Sequence, residues 1–372
     1  MDVVDLKILR VSERILPMPG GKEIHVAELT QEQALLGHDI HVIYRFGDGL
    51  LQGGSSTRVH LPRPLASLRG GRGTAMFGYL SSKLAAHRNR PDVLHVHGDF
   101  IDAWPLARYA QAAGVPMILT VHGRLNPRYT RLAGIAFRQI DHFIALGDPV
   151  KSDLLTCGVP KVRITTMSSG LNTKLLDAAG RVKRREPGLI VMTGSLDPVK
   201  NIYFVISALA RMPASLDFRL DVIGEGPQRQ ELEALAASVP RVRFLGQLTR
   251  AEVYDRVSDA DIFVMASRRT KTKGEGVPTA LLEAMALGKL CLVSKEALPH
   301  PVVTDADSYW TFDPHDQGDL ARLVQHGLGH EHARVQAGER ARSAVSHLSW
   351  PQIAKRVESV YERAQDCRLG HG

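Results

Sequence analysis

The chain has 372 residues, 44% hydrophobic and 23% charged, and 47 Lys and Arg against 39 Asp and Glu leave a net charge of +8. That is room for two domains with full cores, in the proportions of an ordinary globular protein. With no run of about 18 apolar residues a transmembrane helix is not expected, and the scattered Cys157, Cys291 and Cys367 argue against a disulfide framework or a cysteine metal site.

The opening Met1-Asp2-Val3-Val4-Asp5 is acidic where a signal peptide is basic, so a reducing, cytoplasmic setting is expected. A basic surface suits nucleic acid, anionic lipid or phosphate-bearing small molecules. The excess is modest and no recognition module is visible, which disfavours nucleic acid.

In chain order, Leu6–Val11 reads as a short strand, Pro17–Gly21 as a turn and Lys22–Leu36 as a helix with an apolar stripe. Asp39–Tyr44 follows as a strand, with further strands at Val93–Val96, Met117–Val121, His142–Ala145 and Arg163–Thr166. Leu171–Pro187 is polar and basic and reads as a linker. A second series runs through strand Leu189–Met192, helix Ile202–Arg211, strand Arg219–Ile223, helix Gln228–Ser238 and strand Val242–Phe244. Helix Arg250–Val257, strand Asp261–Met265 and strand Leu290–Val293 complete it. The tail Ser349–Arg363 shows helical periodicity at Ile353, Val357, Val360 and Tyr361. Alternation of this kind implies two parallel sheets, each covered by helices on both faces. Ligands of such sheets sit at the carboxyl ends of the strands, so a cleft between the two domains is the expected site.

Between the last two strands lies the most informative segment, residues 274–289. Glu275 and Glu283 stand eight positions apart, with Gly276 and Pro278 just past the first and helix formers around the second. Pro278 fits the start of a helix and Gly288 the residue past its end. Glu275 is then a loop residue beside a helix N-terminus, and Glu283 lies on the helix body. Helix N-termini favour anions, and carboxylates accept hydrogen bonds from hydroxyls. A ligand with phosphates and several hydroxyls, such as a sugar nucleotide, suits both. The plainer alternative is that a glutamate on a helix is usually solvated. Against it, Glu283 is set among Leu281, Leu282, Ala284 and Met285, with little polar company.

This segment resembles the paired-glutamate motif of retaining glycosyltransferases of the GT-B type, family 4 (glycosyl transferases group 1). Other segments resemble the same family in the same order. They are Pro19-Gly20-Gly21-Lys22-Glu23-Ile24-His25-Val26, Gly37-His38-Asp39-Ile40-His41-Val42, Asp92-Val93-Leu94-His95-Val96-His97 and Thr120-Val121-His122-Gly123. Further on come Gly170-Leu171-Asn172-Thr173, Gly194-Ser195-Leu196-Asp197-Pro198-Val199-Lys200-Asn201, Val222-Ile223-Gly224-Glu225-Gly226-Pro227, Val242-Arg243-Phe244-Leu245-Gly246 and Leu348-Ser349-Trp350. The likeness covers most of the chain.

The resemblance implies an α/β GT-B fold of two Rossmann-like doubly wound domains. An acceptor-binding domain would span 1–172, a nucleotide-sugar-binding domain 173–350, and a final helix, 351–372, would cross back to the first. By the same resemblance Lys200 would contact the donor diphosphate, Glu283 the ribose hydroxyls and Glu275 the hydroxyls of the transferred sugar. Amides of Val277 and Thr279, in the loop of Gly276, would cradle phosphate. Gly20 and Gly21 would let backbone approach the donor, His122 would face the sugar near the reacting carbon, and backbone around Gly246-Gln247-Leu248 would read the base. His122, Glu275 and Lys200 are thus the expected catalytic residues. Two departures stand out. Ser195 replaces the family's usual Arg, removing a bidentate phosphate contact that Lys200, Arg268 or Arg269 would have to supply. Pro278 stands where many members have glycine and donates no N–H.

No cofactor and no metal are expected. A transferase of this kind must stabilise the charge growing on the departing diphosphate, which preorganised cations and amides can do. Asp259/Asp261 and Asp305/Asp307 lead into predicted strands and so sit at the wrong end for a metal there. In the family, configuration at the anomeric carbon is retained, with the leaving phosphate accepting the acceptor's proton.

His95 and His97 lie on one strand face, as zinc ligands can, but strand-end histidines lining a pocket are the better reading. Glu225 and Gly226 read as a tight turn, and Gly224-Glu225-Gly226-Pro227-Gln228-Arg229 ends on Arg where a dinucleotide fingerprint needs Gly. Arg63, Arg69, Arg72, Lys83, Arg88 and Arg90 are interleaved with Leu65, Leu68, Met76, Phe77, Tyr79, Leu80 and Leu84. Such a segment is suited to peripheral contact with the inner, anionic face of the membrane; a helix packing its apolar side inward is the competing reading.

The expected activity is therefore metal-independent hexosyl transfer. A hexose or N-acetylhexosamine would pass from a nucleotide-diphosphate sugar, UDP-sugar favoured, to a glycan, lipid-linked or small-molecule acceptor in polysaccharide or glycoconjugate biosynthesis. Its rivals are a sugar-nucleotide 2-epimerase on the same scaffold, which needs no acceptor, and a catalytically silent sugar-nucleotide-binding partner of another transferase.

Overall fold

The computed structural model describes residues 5–18, 20–65, 67–68, 70–181, 185–271 and 274–369. Residues 1–4, Pro19 of the glycine loop, Arg69 and residues 182–184 of the expected linker lie outside them. The chain divides into two units, Met1–Gly170 with Trp350–Gly372, and Leu171–Ser349.

In the first unit the strands are β1 (Lys7–Arg14), β2 (Asp39–Phe46), β3 (Ser55–Arg58), β4 (Val93–His97), β5 (Met117–Val121), β6 (His142–Leu146) and β7 (Ile164–Met167). They lie side by side as β3-β2-β1-β4-β5-β6-β7, all parallel. The helices are α1 (Gly21–Leu35), α2 (Gly70–Ala86), α3 (Phe100–Ala113), α4 (Thr130–Phe137) and α5 (Asp148–Thr156).

The second unit runs α6 (Thr173–Arg181), β8 (Leu189–Thr193), α7 (Ile202–Leu209), β9 (Arg219–Ile223), α8 (Arg229–Ala236), β10 (Val242–Gly246) and α9 (Arg250–Asp259). It continues with β11 (Ile262–Met265), α10 (Thr279–Ala286), β12 (Leu290–Ser294), β13 (Trp310–Phe312), α11 (Gln317–Gly329) and α12 (Glu331–Val345). Its sheet has the order β10-β9-β8-β11-β12-β13, again all parallel. The last helix, α13 (Trp350–Leu369), belongs to the first unit.

Both sheets therefore carry the doubly wound Rossmann order, reversing between β1 and β4 and between β8 and β11. The strands are apolar runs because both faces are covered by helices; all five residues of β5 are buried. Helix α13 closes the first unit as its spacing requires. Ile353, Val357, Val360 and Tyr361 are wholly buried and share a core with Val26 and Leu29 of α1. Each such side chain contributes about 1.5–3 kcal/mol of burial.

Two expectations need correction. The expected linker contains α6, whose Leu176 and Ala179 are buried in the second unit's core beside Tyr254 and Val257. Polar Thr173, Lys174 and Asp177 hide that apolar pair in the sequence. At the far end of the same segment the Glu186 carboxylate accepts from the Arg256 guanidinium, and its N–H bonds Asp259 O at 3.0 Å. Strands β1 and β4 extend to Arg14 and His97, past the apolar runs that announce them, because parallel strands end in polar residues at the site edge. In α2, Phe77 and Ala85 are buried in the core while Tyr79 and Leu84 stay exposed.

Candidate active site

In the first unit, the strand ends at the β1/β4 reversal carry a cluster of imidazoles. His97 ends β4 and His122 follows β5; His97 Nδ1 and His122 Nε2 are 3.1 Å apart. His25, one turn into α1, meets His122 edge-on with ring centroids 4.9 Å apart and Trp350 at 5.1 Å. Its Nδ1 pairs with Ser169 Oγ at 2.8 Å. His95 lies deeper, with Nδ1 on Tyr361 OH and Nε2 on Thr120 Oγ1, both at 2.7 Å. Both its nitrogens are thereby engaged within the core, so His95 does not line a pocket. Burial lowers the pKa of all four rings, helped for His25, His95 and His97 by buried Arg10; His25 falls to about 3 and the others well below the usual range. At neutral pH this is an uncharged, largely buried cluster of imidazoles.

Gly20 caps α1 with φ +151°, and a Cβ there would come within 2.2 Å of Glu23 Oε2. Only glycine fits, and Gly20 and Gly21 stay exposed at the helix start. The first N–H groups of α1 have no acceptor within the helix and point outward.

In the second unit the loop after β8 is folded on Asp197, whose Oδ1 accepts from Val199 N at 2.9 Å and whose Oδ2 accepts from Ser195 Oγ at 2.7 Å. Ser195 is exposed and spends its hydroxyl within this turn. Gly194 has φ +145°, and a Cβ there would lie 2.8 Å from Lys200 Cε, so the lysine stem passes over bare backbone. Lys200 Nζ reaches Glu275 Oε1 at 2.6 Å, and the same oxygen accepts from Ser267 Oγ at 3.2 Å. Both partners are about one-fifth exposed. Arg268 N bonds Val199 O at 2.8 Å, while Arg269 N bonds Glu296 Oε2 at 2.5 Å. The first fixes Arg268 beside the Lys200 loop, and the second ties Arg269 to the loop after β12.

Helix α10 begins at Thr279 with Pro278 as its cap, and Gly288 follows its end with φ +70°. Gly276 is buried and Val277 and Thr279 half-buried, and the Leu281 N–H bonds Pro278 O at 3.1 Å within the first turn. Glu283 lies one turn along. Leu281, Leu282, Ala284 and Met285 point into the core, and Glu283 faces the other way. The expectation of little polar company is wrong. Glu283 Oε1 accepts from Tyr254 OH at 2.6 Å and from Arg250 Nη2 at 3.3 Å. Gly246 ends β10 with φ +70° and gives its carbonyl to Gly224 N at 2.8 Å, with Leu248 half-buried beyond it.

The Asp pairs occupy the opposite strand ends. Asp261 accepts from Gly188 N at 2.8 Å and pairs with Arg334 at 3.3 Å, and Asp307 pairs with Arg340 at 3.4 Å.

Lys200 and Glu275 are thus brought into contact, with Ser195 in the same loop as Lys200 and Glu283 on the helix that follows Glu275. Sequence reasoning missed Asp197, Ser267, Arg250 and Tyr254 here, and His25 and Ser169 in the first unit. The i, i+4 spacing of Arg250 and Tyr254 after the capping pair Thr249/Glu252 was the available signal.

Two Rossmann-like units with these strand orders make a GT-B fold. The chain matches the family described as Glycosyltransferase Family 4 over residues 19–175 and that described as Glycosyl transferases group 1 over residues 177–344. It belongs to this glycosyltransferase family. The glycogen synthase of Mycobacterium tuberculosis is 27% identical, over 97% of this chain and 95% of that enzyme. The phosphatidyl-myo-inositol mannosyltransferase of Mycolicibacterium smegmatis is 24% identical, over 93% and 90%. Among solved structures, sucrose-phosphate synthase from Thermosynechococcus elongatus superposes with a TM-score of 0.80 at 20% identity, over 96% of this chain and 98% of that one. Anabaena HepE in complex with UDP gives 0.75 at 16% identity, over 96% and 100%. At these identities the superpositions speak for the fold.

Proposed function

We propose that the chain transfers a hexose or N-acetylhexosamine, with retention of configuration, from a nucleotide-diphosphate sugar to a hydroxyl of a glycan, lipid-linked or small-molecule acceptor. The second unit takes the donor and the first the acceptor. The observation that carries this reading is the Lys200–Glu275 contact at the N-terminus of α10. Each partner neutralises the other until a donor arrives. The ammonium then turns to the diphosphate and the carboxylate accepts from the sugar hydroxyls, while amides of Val277 and Thr279 cradle phosphate. Glu283 takes the ribose hydroxyls and backbone at Gly246 and Leu248 the base. Cation and helix N-terminus together stabilise the charge that grows on the leaving diphosphate. That phosphate then accepts the acceptor's proton, so no separate base is required. His122, neutral and oriented by His97, hydrogen-bonds the transferred sugar, and the open backbone at Gly20 and Gly21 admits the donor phosphates.

A UDP-sugar is favoured, because Anabaena HepE has been solved with UDP and with UDP-glucose. Polysaccharide or glycoconjugate synthesis is the setting that fits such a donor. Peripheral contact with an anionic membrane belongs to the same reading, with exposed Arg72, Lys83, Arg88 and Arg90 around Tyr79 and Leu84. Incubation with UDP-sugars and candidate acceptors tests the proposal. Transfer that is lost in Glu275→Ala supports it, and donor binding without turnover under any acceptor would make the chain a silent partner.

A further inference from the structure

The glutamate on α10 is held by a second helix. The capping box Thr249/Glu252 starts α9 at Arg250, which puts Tyr254 one turn later on the same side. Tyr254 is 1% exposed, and a buried phenol needs a partner for its O–H. It has one on each side. Arg250 Nε donates to Tyr254 OH at 2.6 Å, and Tyr254 OH donates to Glu283 Oε1 at 2.6 Å. Arg250 Nη2 also reaches Glu283 Oε1, at 3.3 Å, and the guanidinium carbon lies 5.4 Å from the centre of the Tyr254 ring. Two donors from one rigid helix converge on one oxygen of a carboxylate on another.

A glutamate side chain has three rotatable bonds, and its terminal torsion is soft. Fixing one oxygen from two directions sets the carboxylate plane before any ligand arrives, which lowers the ordering cost at binding. We propose that Tyr254 and Arg250 are positioning residues that preset Glu283 to read the ribose hydroxyls of a nucleoside diphosphate. The inference rests on the ribose role of Glu283 proposed above. It adds that ribose selectivity depends on α9. Tyr254 also stays a donor throughout: burial, reinforced by the Glu283 charge, raises its pKa, so the phenol does not ionise near neutrality.

The test titrates the full chain calorimetrically with UDP, GDP and ADP, then with the 2′,3′-dideoxy form of the tightest binder. Wild type, Tyr254→Phe, Arg250→Lys and Glu283→Gln are compared, with circular dichroism melts verifying that each is folded. Wild type should prefer the ribonucleotide by about tenfold or more, the scale of hydrogen bonds to a charged group. Tyr254→Phe, which keeps the ring and loses the O–H, should bring that ratio close to one; Arg250→Lys should do so in part and decides the matter if Tyr254→Phe fails to fold. A merely structural role for Tyr254 would weaken ribo and dideoxy forms alike and leave the ratio unchanged. An unchanged ratio in both variants, with the ratio lost in Glu283→Gln, overturns this inference and leaves the ribose reading standing. A wild type indifferent to the missing hydroxyls, or binding none of the nucleotides, overturns both.

Discussion

Lys200 Nζ lies 2.6 Å from Glu275 Oε1, joining two loops 75 residues apart at the C-terminal edge of one sheet. Each partner is about one-fifth exposed, so solvent still reaches the pair and its contribution to folding is modest, about 1 kcal/mol. Its placement beside the N-terminus of α10 is better explained by charge held ready for a ligand than by stability.

Replacing either partner should therefore separate function from folding. In Glu275→Ala and Lys200→Ala, turnover should fall by about 100-fold or more, the cost of removing a preorganised group from a transition state. Melting temperatures should stay within a few degrees of wild type. Steady-state kinetics and calorimetry on the same preparations check both statements.

Gly194→Ala should act on the same lysine indirectly. The site has φ +145°, and the added Cβ would come 2.8 Å from Lys200 Cε. The backbone strain costs about 1–3 kcal/mol, and the displaced lysine should raise the donor KM. Denaturant titration reads the first effect, and initial rates at varied donor the second.

The histidine cluster predicts acid sensitivity in the first unit. Native His25 stays neutral down to about pH 3, while in the unfolded chain it protonates near the ordinary imidazole value of 6.5. Its folded pKa is depressed, so the unfolded state binds more protons between those limits and stability falls as pH drops through them. The slope is about 1.4 kcal/mol per pH unit for each such residue. His95, His97 and His122, held well below the usual range, add to it. Unfolding free energies measured at pH 7, 6 and 5 should decline ever more steeply. Replacing His25 by Asn should flatten the decline.

Helix α13 should be indispensable to the first unit. Ile353 is wholly buried in the core it shares with Val26 and Leu29. Ile353→Ala should cost about 2–5 kcal/mol, measured by denaturant unfolding followed by circular dichroism.

The α10 segment was legible because its punctuation is local: Pro at the start, Gly past the end and helix formers between. Buried parallel strands were legible as apolar runs, though several of their ends, such as Ser12 to Arg14, Phe46 and His97, and the short β13 escaped. What escaped more fully was long-range or disguised. The partnership of Lys200 with Glu275 depends on where two loops meet, which no window of sequence contains. Tyr254 reads as one more apolar position on α9 until the facing helix shows why its hydroxyl matters. Helix α6 looked like a linker because Thr173, Lys174 and Asp177 outnumber the buried pair it carries. Edge strand β3, Ser55-Ser56-Thr57-Arg58, has no apolar residue to announce it.

The central claim is a nucleotide-sugar site in the second unit, and a thermal-shift panel addresses it most directly. UDP-, GDP-, dTDP- and ADP-sugars would be added to wild type, Lys200→Ala and Glu283→Ala at high concentration. At about 100 times its dissociation constant, a ligand adds roughly 2.7 kcal/mol, a plain rise in melting temperature. A rise with one nucleotide class, UDP-sugars foremost, that is lost in both variants is the predicted result. No rise with any of the four in wild type, or an undiminished rise in both variants, would contradict the account.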